Sequence, residues 1–181
     1  MTDHSKIKTG ANDLLVVVDM QVDFVNGSLG TKEAQAITAD VAEFARGFAG
    51  KRVFTMDTHT ESYLTTQEGK NLPVVHTVKG TEGWQLVPAL RALVTEQDTV
   101  LEKGGFGSLA LADIVRQGHY DNIYFAGVCT GICVISNAVI AKAADTEVPI
   151  HILAGLCACD SPESHQTAIN AMRLLQMQII E

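Results

Sequence analysis

The chain has 181 residues, the length of one domain, and 46% of them are hydrophobic and 19% charged. This composition is typical of a globular protein rather than a disordered one. Thirteen basic residues against twenty-one acidic residues give a net charge of −8. Because nucleic acids and anionic membrane surfaces both require a basic face, the charge argues against either as a partner.

The four cysteines are too few for a disulfide scaffold, and neither close pair has a matching pair at zinc-finger spacing. Cys157 and Cys159 alternate and are interpreted as core residues on one face of a strand or its exit. The longest apolar run, 14–18, is far too short to span a membrane. Residues 1–10 are polar and lack the apolar centre of a secretory signal. We therefore expect a reducing, cytoplasmic setting, with at most one cysteine chosen for reactivity.

Short apolar runs alternate along the chain with amphipathic stretches. Strands are predicted at 14–19, 52–56, 99–102, 122–128, 149–153 and 177–180. Helices are predicted at 34–48, 82–93, 108–117, 131–145 and 161–175, the last with Ser161 as N-cap and Pro162 at the first helical position. This alternation predicts a three-layer α/β fold, with helices on both faces of a doubly wound, mostly parallel sheet of about six strands. A single domain over residues 1–181 is expected.

Ligands bind such sheets beyond the carboxyl ends of the strands. Asp19, Asp57, Lys103 and the segment 127–133 all directly follow predicted strands. The stretch 58–79 has no periodic pattern, and a loop of this length inside a compact domain is usually functional. We therefore expect the chemistry of the protein at this edge of the sheet.

Cys133 follows a tight turn after the fourth predicted strand and opens an apolar helix. Unpaired backbone N–H groups and the positive end of the helix dipole would both favour its thiolate, the nucleophilic form. The plainer interpretation is a small buried hydrophobic residue. Asp19 and Lys103 would complete a proton-shuttling set if they converged on it. Alone, each is as well explained as a strand-ending aspartate or a solvated loop lysine.

Asp57, His59 and His76 offer one carboxylate and two imidazoles. A D-x-H motif at a strand end places both side chains on one face, because the strand period is two. Divalent ions accept this donor set. An ordinary loop aspartate with two solvated histidines is the alternative, and the residues alone leave both open.

Five short segments follow one another at spacings that match a known family. They are 18–24 (VDMQVDF), 57–59 (DTH), 76–84 (HTVKGTEGW), 103–106 (KGGF) and 127–134 (GVCTGICV). With these segments the chain resembles the cysteine hydrolases of the isochorismatase-like superfamily, and within it most closely the nicotinamidases. The resemblance covers residues 14 to about 145.

This resemblance implies a catalytic triad of Asp19, Lys103 and Cys133. It also implies a cis peptide bond between Val128 and Cys129. Such a bond would turn the N–H of Cys129 toward the N–H of Cys133, and the two would form an oxyanion hole.

The resemblance further implies a divalent ion, which would be zinc, iron or manganese, held by Asp57, His59 and His76. Some members add a glutamate or a further histidine from the intervening loop, and Glu68 is the candidate here. The D-x-H…H set separates the nicotinamidases from the metal-free branches of the superfamily.

The implied reaction is the hydrolysis of nicotinamide to nicotinate and ammonia through a cysteine thioester, as in NAD salvage. Phe24 and Phe106 are the candidate aromatic walls of the pocket for this small carboxamide, and a homo-oligomer is expected. Three positions depart from the family pattern. Gly131 stands where the family usually carries aspartate, Pro73 where several members place a pocket tryptophan, and Thr77 where a cysteine is frequent.

Other functions are weighed against this one. A metal-free relative would act on another small amide, a ureido acid or the vinyl ether isochorismate. A flavodoxin-like binding module would need a phosphate-cradling glycine loop after the first strand, which residues 21–24 do not supply. A thiol redox protein would need a resolving cysteine near Cys133, and the spacing to Cys129 is not the usual redox motif.

Overall fold

A computed structural model of the chain describes residues 7–181. Within them, six strands form one sheet, and every neighbouring pair of strands runs parallel. Most of the N-terminal segment discussed above, residues 1–6, lies outside the described residues. No helix in the described part of the chain is both long and apolar enough to cross a membrane.

The sheet confirms the prediction of about six, mostly parallel strands. The strands are β1 (Leu14–Val18), β2 (Lys51–Asp57), β3 (Thr99–Lys103), β4 (Ile123–Val128), β5 (Ile150–Ala158) and β6 (Gln178–Ile180). Their order across the sheet is β3-β2-β1-β4-β5-β6. β5 is longer than the predicted 149–153, because its second half continues to pair with β4 after a shift in register.

Helices cover both faces of this sheet. They are α1 (Val22–Val25), α2 (Lys32–Gly47), α3 (Gln67–Asn71), α4 (Pro88–Arg91), α5 (Leu109–Gly118), α6 (Ile135–Ala144) and α7 (Pro162–Leu174). A 3₁₀ turn at Tyr63–Thr65 and a π-helical turn at Thr130–Val134 complete the helical segments. α7 begins as predicted, because the hydroxyl of Ser161 accepts a hydrogen bond from the N–H of Ser164 at 3.2 Å.

The predicted helix at 82–93 is wrong except for the short α4. The N–H of Val87 donates to the carbonyl of Met20, and the N–H of Val22 donates to the carbonyl of Gln85, both at 2.9 Å. These bonds hold the chain before α4 extended beside the segment that follows β1. The helix begins at Pro88 because proline has no N–H to donate and its fixed φ suits a first helical position.

Two apolar layers hold the helices to the sheet. β1 is fully buried, and its side chains alternate between the layers. Leu14, Val16 and Val18 pack in the layer under α5, α6 and α7, whereas Leu15 and Val17 pack in the layer under α1, α2 and α4. The three-layer α/β fold is thus confirmed.

Candidate active site

The strand order reverses between β1 and β4, and the predicted site residues gather at this switch point. Asp19 directly follows β1, Asp57 and Lys103 end β2 and β3, and the chain after β4 leads into the turn with Cys133. Gly127 allows the two central strands to approach closely. Its φ is +121°, and a Cβ there would lie 2.1 Å from the carbonyl oxygen of Val18.

Asp19, Lys103 and Cys133 form one buried cluster. The Nζ of Lys103 lies 2.6 Å from Oδ2 of Asp19 and 3.5 Å from Sγ of Cys133. The same ammonium donates to the carbonyl oxygen of Gly105 at 3.0 Å and lies 3.4 Å from Oδ1 of Asp57. The cation therefore ties the carboxylate, the thiol and the end of β2 together.

Asp19 is held in an unusual backbone conformation. Its φ is +49°, in the left-handed region that non-glycine residues rarely adopt. Thr55 on β2 fixes it there: its hydroxyl donates to Oδ1 of Asp19 at 2.6 Å, and its carbonyl oxygen accepts from the N–H of Asp19 at 3.2 Å. The carboxylate is thereby aimed at Lys103.

Burial sets the protonation of the cluster. Burial raises the pKa of Asp19 despite the opposing attraction of Lys103. Burial, reinforced by the charge of Asp19, raises the pKa of Cys133 well above its usual value. Burial alone would lower the pKa of Lys103, but the surrounding negative groups, Asp19 first, raise it. Burial thus opposes the preference for a thiolate that is expected from the start of a helix, and the thiol needs a base.

The turn that carries Cys133 differs from the predicted helix at 131–145. It is a π-helical turn that runs into α6, and the expected cis bond between Val128 and Cys129 precedes it. Asn137 on α6 braces this turn: its Nδ2 donates to the carbonyl of Cys133 at 2.8 Å and to that of Phe106 at 3.0 Å. Asn137 had no role in the sequence analysis.

Three possible metal donors from the end of β2 and the following loop, Asp57, His59 and His76, converge beside this cluster, and Glu68 is a fourth candidate next to the two histidines. Oδ2 of Asp57 lies 2.9 Å from Nε2 of His59 and 3.7 Å from Nε2 of His76. Oε1 of Glu68 lies 3.6 Å from the first of these nitrogens and 3.7 Å from the second. Ligands about 2.1 Å from a tetrahedral ion are separated by roughly 3.4 Å, so this spacing is close to that of a divalent metal site.

The two imidazoles are prepared for a metal ion. Nε2 of His59 is buried and makes no hydrogen bond with any described residue, although a carboxylate lies beside it. His76 is oriented by its Nδ1, which lies 2.7 Å from the carbonyl oxygen of Val74, so that its Nε2 faces the other donors. The residues present fit a divalent ion.

Two polar side chains to which the sequence analysis gave no role position these ligands. Gln21 clamps the backbone of Asp57: its Oε1 accepts from the N–H at 2.8 Å, and its Nε2 donates to the carbonyl at 2.9 Å. The hydroxyl of Thr77 donates to Oδ2 of Asp57 at 2.7 Å. The first of them could have been found from its place in the sequence, because Gln21 is a polar residue two positions after Asp19 in the VDMQVDF segment.

A cavity of about 1220 Å³ opens on both the thiol and the metal donors. Phe24 and Phe106 line it, and Cys133, Gly131, the four candidate metal donors and one side of α7 complete the wall. Pro73 is exposed. Among the described residues that line the cavity there is no lysine or arginine, whereas Asp160 and Glu163 add to the acidic groups.

The cysteines differ from their interpretation in one respect. Cys129 and Cys159 are joined by a disulfide, so the interpretation of Cys159 as a plain core residue is wrong. The bond links the turn after β4 to the exit of β5. Cys157 is a buried free thiol, as expected, and burial raises its pKa to about 12.

Most of the chain matches a known protein family. A family model described as the isochorismatase domain matches residues 13–181. The chain belongs to the isochorismatase family. The six-stranded parallel sheet is thus the family's fold in this chain.

Proteins similar to this chain include several whose names describe them as amidases. The uncharacterised isochorismatase family protein PncA of Bacillus subtilis is 28% identical in an alignment of 152 positions, and this alignment covers 76% of this chain and 82% of that protein. Pyrazinamidase of Pyrococcus horikoshii in complex with zinc has a TM-score of 0.81 and 26% identity, covering 94% of this chain and 99% of that one. Nicotinamidase/pyrazinamidase PncA of Bacillus subtilis has a TM-score of 0.83 and 26% identity, covering 93% and 99%. The similarity to nicotinamidases is confirmed, and it indicates an amidohydrolase.

Proposed function

We propose that the chain is a metal-assisted cysteine amidohydrolase that converts nicotinamide and water to nicotinate and ammonia. The observation that carries this proposal is the meeting of two groups in one cavity. The thiol of Cys133, with Asp19 and Lys103 behind it, opens on the same space as the four metal donors. A small planar amide could reach both groups at once.

The charge of the cavity supports a neutral substrate. Isochorismate and ureido acids carry carboxylates, which proteins usually bind with arginine or lysine. No described residue of either type lines the cavity, and the nearby Lys103 is already paired with Asp19 and Asp57. A neutral carboxamide needs no such partner, and its ring would pack between Phe24 and Phe106.

In the proposed cycle, Asp19 first takes the proton of the Cys133 thiol, and the thiolate attacks the amide carbon. The N–H groups of Cys129 and Cys133 donate to the oxyanion, and such a donor is typically worth about 10²–10³ in rate. The C–N bond then breaks, and Asp19 gives its proton to the departing ammonia. A thioester between the acyl group and Cys133 remains.

Water completes the cycle. Asp19 takes a proton from a water molecule, whose oxygen attacks the thioester carbon. As the C–S bond breaks, Asp19 gives that proton to the released thiolate, and nicotinic acid leaves and ionises to nicotinate. Lys103 stays protonated throughout, because the carboxylates around it raise its pKa. Its role is to hold Asp19 ionised at rest, and to keep it oriented while it carries the proton from sulfur to nitrogen.

In this scheme the metal site serves to bind the substrate, because the nucleophile is the thiol of Cys133. Asp57, His59 and His76, with Glu68 as a further ligand, would hold zinc, iron or manganese. When bound, the ion supplies an electrophilic centre that anchors and orients the substrate. The cytoplasmic setting, the place in NAD salvage and the homo-oligomer stay predictions.

Ammonia release tests the proposal directly. Purified protein should release ammonia from nicotinamide, and from pyrazinamide as a second neutral amide, and a chelator should suppress both reactions. A ureido acid should give no product. Release from the ureido acid alone, unaffected by chelator, would instead place the chain with the metal-free members of the superfamily.

A further inference from the structure

The turn that carries the nucleophile has a side-chain partner outside the catalytic cluster. Thr130 lies inside this turn and is fully buried. Its Oγ1 lies 2.8 Å from Nδ1 of His165, which is on α7. No role was assigned to His165 from the sequence.

α7 is a firm support for such a contact. Its N-terminus is capped by Ser161, and its inner side is buried through Ala168 and Met172. The helix also lies directly against the turn, because a Cβ placed on Gly131 would be 3.6 Å from the Cβ of Ala168. A hydrogen bond from this helix therefore constrains the turn and not merely a mobile side chain.

The contact falls between the two proposed oxyanion donors. Cys129 directly precedes Thr130, and Cys133 follows three residues later. The disulfide to Cys159 anchors the first of these residues to the exit of β5. The bond from His165 anchors the residue next to it, so that both attachments act on the same short stretch.

We propose that His165 is a positioning residue for the amide hydrolysis. Through Thr130 it fixes the turn so that the N–H groups of Cys129 and Cys133 point at one oxygen. This inference rests on the proposed function, since it assumes an acyl-transfer reaction at Cys133. Burial lowers the pKa of His165, which is consistent with a neutral ring whose Nδ1 accepts the hydrogen bond of the Thr130 hydroxyl.

The expected effect is on the chemical step and not on substrate binding. The substrate would be bound by the ring walls and the metal site, none of which His165 touches. Removal of the imidazole in His165→Ala should therefore lower kcat about tenfold, a fraction of what a full oxyanion donor is worth, and leave KM within about twofold. His165→Asn keeps a polar atom near the position of Nδ1 and should recover most of the loss.

The experiment measures kcat and KM for nicotinamide in six proteins. They are the wild type, His165→Ala, His165→Asn, Thr130→Val, the double variant His165→Ala/Thr130→Val and the matched control Gln166→Ala. Gln166 neighbours His165 on the exposed side of α7, and its Nε2 donates to Oδ1 of Asn170 at 3.0 Å. Thr130→Val should resemble His165→Ala, the double variant should be no worse than either single one, and the control should match the wild type.

A second measurement isolates the tetrahedral oxygen at the two N–H groups. Pyridine-3-carbaldehyde has no leaving group, so the sulfur of Cys133 bonds to its carbonyl carbon, the C=O bond becomes C–O, and the thiol proton ends on that oxygen. The resulting tetrahedral adduct resembles the intermediate. Its dissociation constant, followed by ultraviolet difference spectra, should rise about tenfold in His165→Ala, while the affinity for the product nicotinate should not change.

The outcomes separate the two proposals. A wild type without amidase activity overturns the proposed function. An active wild type with kcat unchanged in folded His165→Ala overturns only the role of His165. A loss that appears in KM, in nicotinate affinity or in melting temperature alone also overturns it, because a merely structural residue would act in that way. A kcat loss shared by both single variants and restored by His165→Asn supports it.

Discussion

Replacement of Asp19 by asparagine removes the proposed base with little change in shape. Asparagine tolerates the left-handed backbone that Asp19 adopts, with φ at +49°, so the turn after β1 should persist. The amide oxygen can still accept the hydrogen bond that the Thr55 hydroxyl donates to Oδ1 of Asp19, which is 2.6 Å long in the wild type. What changes is the atom that faces Lys103 at 2.6 Å, where a carboxylate oxygen becomes an uncharged amide group.

The size of the effect follows from the site. A positioned general base contributes about 10²–10⁴ in rate, which corresponds to roughly 2.7–5.4 kcal/mol of barrier. The loss should lie in the upper half of that range. The pKa of the Cys133 thiol is well above its usual value, so few thiolates form without help, and no other described carboxylate pairs with Lys103 as closely.

The assay is ammonia release under single-turnover conditions, with circular dichroism and metal content measured on the same samples. Thr55→Val is the matched control. It removes one hydrogen bond to the carboxylate, worth about 0.5–1.5 kcal/mol, and should cost at most about tenfold in rate. If folded Asp19→Asn retained a tenth or more of wild-type turnover, Asp19 would not be the base.

Three further predictions follow from the same cluster. Cys133→Ala should abolish turnover, whereas Cys157→Ser should leave it nearly unchanged, and mass spectrometry after limited alkylation should find the label on Cys133 rather than on the other thiol. Glu68→Ala should weaken metal binding, measured by equilibrium dialysis, and raise KM, measured by steady-state kinetics, with both effects smaller than those caused by loss of a histidine ligand. An unchanged metal affinity would show that Glu68 is not a ligand. Because burial raises the pKa of Asp19, the acid limb of kcat/KM should lie above the ordinary carboxylate pKa of 3.8, and activity should be lost as the pH falls through this limb. Thr55→Val should move the limb to higher pH, because it removes a hydrogen bond that lowers the pKa of Asp19; a limb that stays in place would contradict this assignment.

The positions of Asp19, Asp57 and Lys103 could be predicted because each directly follows a strand. In a parallel sheet the carboxyl ends of strands meet at one edge, so residues far apart in the chain are brought together by topology alone. The short β-branched runs were sufficient to identify those strands. Placing Cys133 and the metal donors in one cavity required the family resemblance as well.

The features that were missed depend on packing between distant segments. The bond between Cys129 and Cys159 forms across 30 residues, and it needs the exits of β4 and β5 to be adjacent after a register shift that no local pattern reveals. His165 faces the turn only because α7 crosses it. The predicted helix at 82–93 failed for a similar reason, since its start is held extended by bonds to the residues after β1.

In the proposed reaction, this member of the isochorismatase family works with a metal held by Asp57, His59 and His76. Elemental analysis and ammonia release should be measured together on dialysed wild-type protein, His59→Ala, His76→Ala and the control His119→Asn, whose side chain lies far from the site on the exposed end of α5. We expect about one divalent ion per chain and full activity in the wild type and the control, and loss of both in the two ligand variants, with activity in chelated wild type restored by zinc, manganese or iron. Full hydrolysis of nicotinamide by metal-free protein would contradict the account.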